Sequence, residues 1–194
     1  MMPSSSDQAG VAPLPYKIAT LCDLRDKDGR VLLLRRLKSP NFGMVSPIGG
    51  KLDVHTGESP AQCARREIAE EAGIDVPIER LHLLGMISET AYEGKSHWLI
   101  FYYRVLGPVW TEPRQMREGE LAWFAKGELG SLPLPETDRR ILWPLVDAHE
   151  AAYVAGKAAR PGFFAVHIDC DPALKSEQNP IGLVWKVEQS LPAV

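Results

Sequence analysis

The sequence predicts an α+β fold, a mixed β-sheet flanked by helices, from two observations. Strand-like runs come in pairs with short turn signals between them, and two segments combine helical apolar spacing with start and stop signals. The first pair is 16–25 with 31–36, joined by Asp26-Lys27-Asp28-Gly29 and read as a hairpin; the second is 81–92 with 97–105 around Glu93-Gly94-Lys95. Residues 121–124 form a short strand, and 163–169 with 183–189 close the chain around a polar loop. Between the first pair and the first helix runs a loop over 37–47 with Pro40, Gly43 and Pro47. That helix starts where Ser59 can act as N-cap, with Pro60 at the first helical position and Gln62 completing a capping box. Gly73 ends it in a left-handed conformation, and Ala61, Ala64, Ile68 and Ala72 form its inward stripe. The second helix covers 137–154 with Ile141, Leu142, Leu145 and Val146 inward and a bend at Pro144.

The chain has 194 residues, 45% of them apolar, enough for one domain with a full core. Residues 1–14 read as a flexible leader, with neither the basic nor the apolar region of a secretory signal, and 15–192 as a single domain. No apolar run approaches the ~20 residues that span a bilayer, so no membrane partner is expected. A net charge of −3 argues against a nucleic acid polymer as partner but leaves room for a small anionic molecule bound through a metal ion. Cys22, Cys63 and Cys170 form no CxxC pair and read as reduced thiols of a cytoplasmic protein, a monomer or homodimer.

The chemistry concentrates at 66–74, Arg-Glu-Ile-Ala-Glu-Glu-Ala-Gly-Ile. Glu67, Glu70 and Glu71 stand at i, i+3 and i+4 and project from one side of a helix. Alone, such a run is usually a solvated acidic face. Three carboxylates this close also raise one another's pKa unless a cation sits among them, and hard oxygen ligands suit Mg2+ or Mn2+. The surroundings decide for the second reading: Gly49-Gly50-Lys51 ends the preceding loop, Glu58 lies eight positions before Arg66, and Gly73-Ile74 closes the segment.

The stretch 50–74 resembles the signature of the Nudix hydrolase family, G-x5-E-x7-R-E-U-x-E-E-x-G-U, where U is aliphatic. Glu58, Arg66, Glu67, Ile68, Glu70, Glu71, Gly73 and Ile74 match in full; the Gly50–Glu58 spacing is x7, two residues longer, through a loop holding Asp53 and His55. The resemblance implies an α/β/α sandwich with a curved mixed sheet between helices, and a metal-dependent hydrolysis of a diphosphate linkage. It implies metal ligation by Glu67, Glu70, Glu71 and the Gly50 carbonyl, with Glu67 or Glu70 deprotonating water. Arg66 and Glu58 would hold the carboxylates in place, and Glu120, or alternatively Glu118, would complete the site. Arg35 and Lys51 would meet substrate phosphates.

The run from Gly119-Glu120-Leu121-Ala122-Trp123-Phe124 through Gly162-Phe163-Phe164 is similar to the MutT-like oxidised-purine nucleoside triphosphatases. That implies a nucleoside triphosphate such as an 8-oxo-dGTP-like molecule, split to a monophosphate and pyrophosphate, with Asp138 reading the purine edge. Ser46 stands where that subgroup has an asparagine facing the base. Trp123 or Phe42 could stack a base, though core packing is the simpler role for Trp123. ADP-ribose, dinucleoside polyphosphates and a non-catalytic nucleotide-sensing module are the alternatives; the module is disfavoured because every box carboxylate is kept. His55 reads as a surface-loop residue, with phosphate contact as the alternative, His97 and His167 as structural, Cys63 as a small packed residue and Asp53 as a loop-stabilising group.

Overall fold

The computed structural model describes residues 13–39 and 41–194, so the leader expected over 1–14 lies, up to residue 12, outside the described residues. Strand β1 is Tyr16–Asp23, β2 Val31–Arg36, β3 Val45–Pro47, β4 Leu81–Tyr92, β5 Ser96–Val105, β6 Arg114–Gln115, β7 Gly119–Phe124, β8 Phe163–Asp169 and β9 Val184–Leu191. Helix α1 is Pro60–Glu67 and α2 is Trp143–Val154.

The strands form two sheets, a mixed one ordered β1-β5-β4-β8-β9 and an antiparallel one ordered β3-β2-β7-β6. In the mixed sheet β1 runs parallel to β5 and β4 parallel to β8, while β4–β5 and β8–β9 are antiparallel as the sequence predicts. The first expected hairpin is corrected. The turn forms, with Asp26 N–H donating to Arg30 O at 3.1 Å and Leu32 N–H to Leu24 O at 3.0 Å, but beyond it β1 and β2 diverge into different sheets. A turn fixes only local reversal; β2 is buried along Val31–Leu34 and takes antiparallel partners on both sides, β3 and β7.

The sheets are stitched where the segment after β3 crosses β1. Thr20 N–H donates to Gly50 O and Cys22 N–H to Ile48 O, each at 2.8 Å, and Leu52 N–H to Ile18 O at 3.1 Å. Gly49 lies at φ +148°, and a Cβ there would stand 2.1 Å from Thr20 O, so this close crossing requires glycine. One core joins Ile87, Tyr102, Phe164 and Val166 to Ile141, Trp143 and Val146 of the α2 region. The other joins Cys22, Leu32, Leu34 and Ile48 to Ala64, Ile68 and Ala72, the predicted stripe, with Ala61 partly buried beside it.

Both helices contain a π-helical turn, Ile68–Ala72 after α1 and Asp138–Leu142 before α2. The second stands where Pro144 was expected to bend the chain. Proline has no N–H to return to Arg140, and the wider turn absorbs the missing bond. Among the described residues no helix is long and apolar enough to cross a membrane.

Candidate active site

Helix α1 begins as its sequence dictates. Gln62 N–H donates to Ser59 Oγ at 3.3 Å and Ser59 N–H to Gln62 Oε1 at 2.8 Å. At its far end Gly73 takes φ +69°, Thr111 Oγ1 donates to Ala72 O at 2.8 Å and Arg114 Nη2 to Glu71 O at 2.5 Å. Carbonyls that the helix leaves open are thus satisfied from the β6 side. The π turn sets the three glutamates at different depths: Glu70 exposed, Glu67 half-buried and Glu71 buried.

Arg66 is the hub behind them. It grips Glu58 through two bonds, Nη2 to Oε1 at 2.7 Å and Nε to Oε2 at 3.1 Å. Its Nη1 donates to Glu67 Oε1 at 2.7 Å and Glu70 Oε2 at 3.3 Å, and Nη2 reaches Lys51 O at 3.2 Å. The paired bonds to Arg66 push the Glu58 carboxyl down to about 2. Glu58 also accepts from Asp53 N–H at 2.6 Å, and Asp53 Oδ1 accepts from His55 N–H at 3.0 Å, so the longer loop is organised onto the box glutamate. Glu71 behaves oppositely. Burial pushes it up to about 7, against the Gly49 N–H that donates to Oε2 at 2.9 Å, and the charges of Glu67 and Glu118 add to the rise. Burial also raises Glu67, which Arg66 opposes and Glu70 and Glu118 reinforce.

These groups line one end of a cleft of about 670 Å³, well within the ~300–1,000 Å³ usual for small-molecule sites. Of the residues the sequence singles out, Gly50, Lys51, Glu67, Glu70 and Glu71 line this end, and Ser46 and Asp138 line the cleft further along. Glu58 and Arg66 stand behind it. Arg35 and Glu120 do not line it; they face each other across β2 and β7, while Arg36, the next residue, and Glu118, two residues before Glu120 and just ahead of β7, form the wall. Trp123 is packed away from the cleft, its ring stacked on Trp110 at 5.5 Å and its Nε1 donating to Thr111 O at 2.9 Å. Phe42 is exposed outside the lining; Tyr92 and Trp98 are the aromatics that reach the cleft. Cys63 is buried, in contact with Thr20 Oγ1 at 3.4 Å.

Sequence reasoning missed Arg36, Trp98, Thr137 and Glu89. Glu89 had a signal: it shares strand parity with Ile87 and Ala91, so a charged residue sits at an inward position of β4.

The donor set fits a divalent cation. Gly50 O, Glu67, Glu70 and Glu71 offer only hard oxygens, and the crowding that raises Glu67 and Glu71 is what a cation would relieve. Among the described residues no three acidic, imidazole or thiol side chains already converge in ligand geometry, since Arg66 holds Glu67 and Glu70.

The sequence profile of the NUDIX domain matches residues 15–145. The chain belongs to the NUDIX family. An RNA pyrophosphohydrolase of Sphingopyxis alaskensis is 28% identical over 63% of this chain and 85% of its own length. An oxidized purine nucleoside triphosphate hydrolase of Danio rerio is 33% identical over 50% of this chain and 58% of that protein. An octanoyltransferase of Myxococcus xanthus is 38% identical over 34% of this chain, which spans 18% of that protein's length. The crystal structure of a MutT protein from Bacillus halodurans superposes with a TM-score of 0.61 at 26% identity, covering 89% of this chain and 97% of that one. The mixed α+β architecture is that of this Nudix neighbour, in two sheets rather than a single one between helices.

Proposed function

We propose that the protein is a hydrolase acting on acid anhydrides, which uses Mg2+ or Mn2+ to split the diphosphate linkage of a nucleoside triphosphate or related nucleoside diphosphate derivative. The observation that carries this is the crowding of Glu67, Glu71 and Glu118 at one end of a nucleotide-sized cleft, with Gly50 O beside them. The names of the pyrophosphohydrolase and triphosphatase relatives support it. The cytoplasm is the setting that suits Cys22, Cys63 and Cys170, all unpaired, and a monomer or homodimer the expected state.

Bound among these carboxylates, a divalent cation supplies charge neutralisation along the diphosphate and lowers the pKa of a water molecule. The chain's residues do the rest. The Gly49 N–H fixes the carboxylate of Glu71, and Arg66, anchored by Glu58, sets those of Glu67 and Glu70. Arg36 and Lys51 add positive charge on the walls for the phosphates. Glu67 or Glu70 accepts a proton from water as its oxygen bonds one phosphorus; the bridging P–O bond breaks and its electron pair leaves with the other phosphate. A triphosphate then gives a monophosphate and pyrophosphate. Among triphosphates we favour an oxidised purine, 8-oxo-dGTP-like, supported by Asp138 in the cleft and the Danio rerio relative.

Turnover of a panel of nucleoside triphosphates, ADP-ribose and dinucleoside polyphosphates with Mg2+, scored by product mass in oxygen-labelled water, tests the reading. Release of pyrophosphate with label in one product is expected; metal binding without turnover of any member would leave a sensing module instead.

Gly50→Ala offers a finer test. A Cβ there would stand 2.2 Å from Glu67 Oε1, the far end of a flexible side chain, so the fold can absorb it while the carboxylate cannot stay. Turnover should fall about a hundredfold, as misplacements near 1 Å do, with the melting temperature nearly unchanged. A rate close to wild type would show that the position of Glu67 is immaterial.

A further inference from the structure

Away from the box glutamates the cleft holds two more carboxyls. Glu89 comes from β4 and Asp138 from the first turn of the π segment before α2; both line the cleft and Glu89 is only 7% exposed. Thr137 lies against both and donates to Asp138 Oδ1 at 3.3 Å. A threonine hydroxyl has one proton, so it serves one carboxylate and not two. The other ionisable neighbours of Glu89 are Tyr92 and Cys170, on β4 and just beyond β8. Neither is a cation, and the Tyr92 hydroxyl is spent on Asn41 Oδ1 at 2.6 Å. Two carboxyls in each other's field, desolvated, with one donor between them, cannot both stay ionised. Ser46 Oγ, lining the same cleft, is buried without a hydrogen-bond partner among the described residues.

We propose that Glu89 is a specificity-determining residue of the cleft: with Asp138 it forms a carboxyl pair sharing one proton, which matches a nucleobase edge of two N–H donors beside one carbonyl acceptor. This rests on the reading of the cleft as a nucleotide site. A carboxylate and a neutral carboxyl together offer acceptors for two donors and one O–H for one acceptor. The guanine-type edge uses all three. Adenine offers one donor and one acceptor and uses part of the set. Cytosine and uracil each present two acceptors on that edge, and the pair has one O–H to give.

The direction with pH follows. Burial and the charge of Asp138 raise Glu89 to about 8, and burial raises Asp138 to about 7. A raised carboxyl keeps its proton below its own pKa and loses it above. Through pH 8 the pair therefore loses its O–H and both members become acceptors.

Equilibrium binding of the α,β-imido triphosphates of guanosine and cytidine to the whole protein with Mg2+ tests this, independently of turnover. Wild type is expected to favour the guanosine analogue and to lose that preference above pH 8. Glu89→Leu, which removes a buried acid and should fold, is expected to lower the guanosine-to-cytidine affinity ratio about tenfold or more, the scale of an unmatched polar contact. Glu89→Gln, permanently neutral with an NH2 donor group and one acceptor oxygen, should keep the preference and lose its fall at high pH. If the panel is hydrolysed but Glu89→Leu leaves the ratio unchanged, the role of Glu89 is overturned and the enzyme reading stands. If the analogues bind with the expected ratio and nothing is hydrolysed, the carboxyl pair stands and the hydrolase falls. If the wild type binds neither analogue, both fall.

Discussion

Glu67→Gln and Glu70→Gln should each lower turnover by about 10²- to 10⁴-fold, the range expected when a general base is removed, while the protein stays folded. The two substitutions differ in what else they disturb. Glu67 is half-buried and shares Nη1 of Arg66 with Glu70, so its change to glutamine also removes a charged partner from the arginine behind the cleft. Glu70 is exposed, its side chain 59% accessible, and its bond to Arg66 is the longer of the two. Any large effect of Glu70→Gln therefore reports ligation or proton transfer and not packing. Glu58→Gln should cost less, about 10- to 100-fold, as groups that orient ligands do, because it weakens the grip on Arg66 and touches neither cation nor water. Turnover read beside calorimetric titration with Mn2+ separates the cases: Glu70→Gln should weaken both together. A rate for Glu70→Gln within a few-fold of wild type would remove it from the ligand set.

The part of this site that sequence makes legible is the part built from local interactions. The cap at Ser59, the left-handed Gly73 and the stripe of Ala64, Ile68 and Ala72 all depend on residues within one or two turns, and all are found. What depends on partners far along the chain is not legible. Val31–Leu34 are buried without alternation, so nothing local says whether Arg35 or Arg36 turns toward the cleft. The pairing of β2 with β7, which sets Arg35 opposite Glu120 and Arg36 opposite Gly119, decides it. The separation of β1 from β2 has the same origin, since the turn at Asp26–Arg30 is compatible with either outcome. The π turn after α1 leaves no mark in residue spacing, yet it sets Glu71 deep and Glu70 shallow. Glu89 was within reach of a parity argument, because an acid on the inward side of a strand needs a reason.

Glu150→Ala should produce the largest loss of stability, about 3–5 kcal/mol, the cost of leaving a buried charge without its partner. Glu150 is fully buried and accepts from Arg25 Nη2 at 3.2 Å, Lys126 Nζ at 3.1 Å and Arg104 Nε at 3.4 Å. Asp23, also fully buried, takes Arg25 through two further bonds of 2.5 and 2.8 Å. Two acids and two guanidiniums thus sit in the interior as a set, and deleting one acid leaves Arg104 with Asp23 at 4.0 Å as its remaining carboxylate. At this chain length the melting temperature should drop by roughly 6–20 °C, measured by thermal unfolding beside urea titration. Burial alone would raise Asp23, but Arg25 and Arg104 hold it below the usual carboxylate range. A lowered carboxyl contributes stability above its unfolded pKa that is lost as pH falls through the folded value, so acid should weaken the set on top of the substitution. A loss under 1 kcal/mol would mean that Asp23 suffices for both arginines. The set also ties β1 and β5 to α2, whose preceding π turn carries Asp138 opposite Glu89. The seat of the carboxyl pair is therefore held from behind by charges that never meet the cleft, and Glu150→Gln, which removes charge with little change of shape, should blunt base preference before it unfolds the protein.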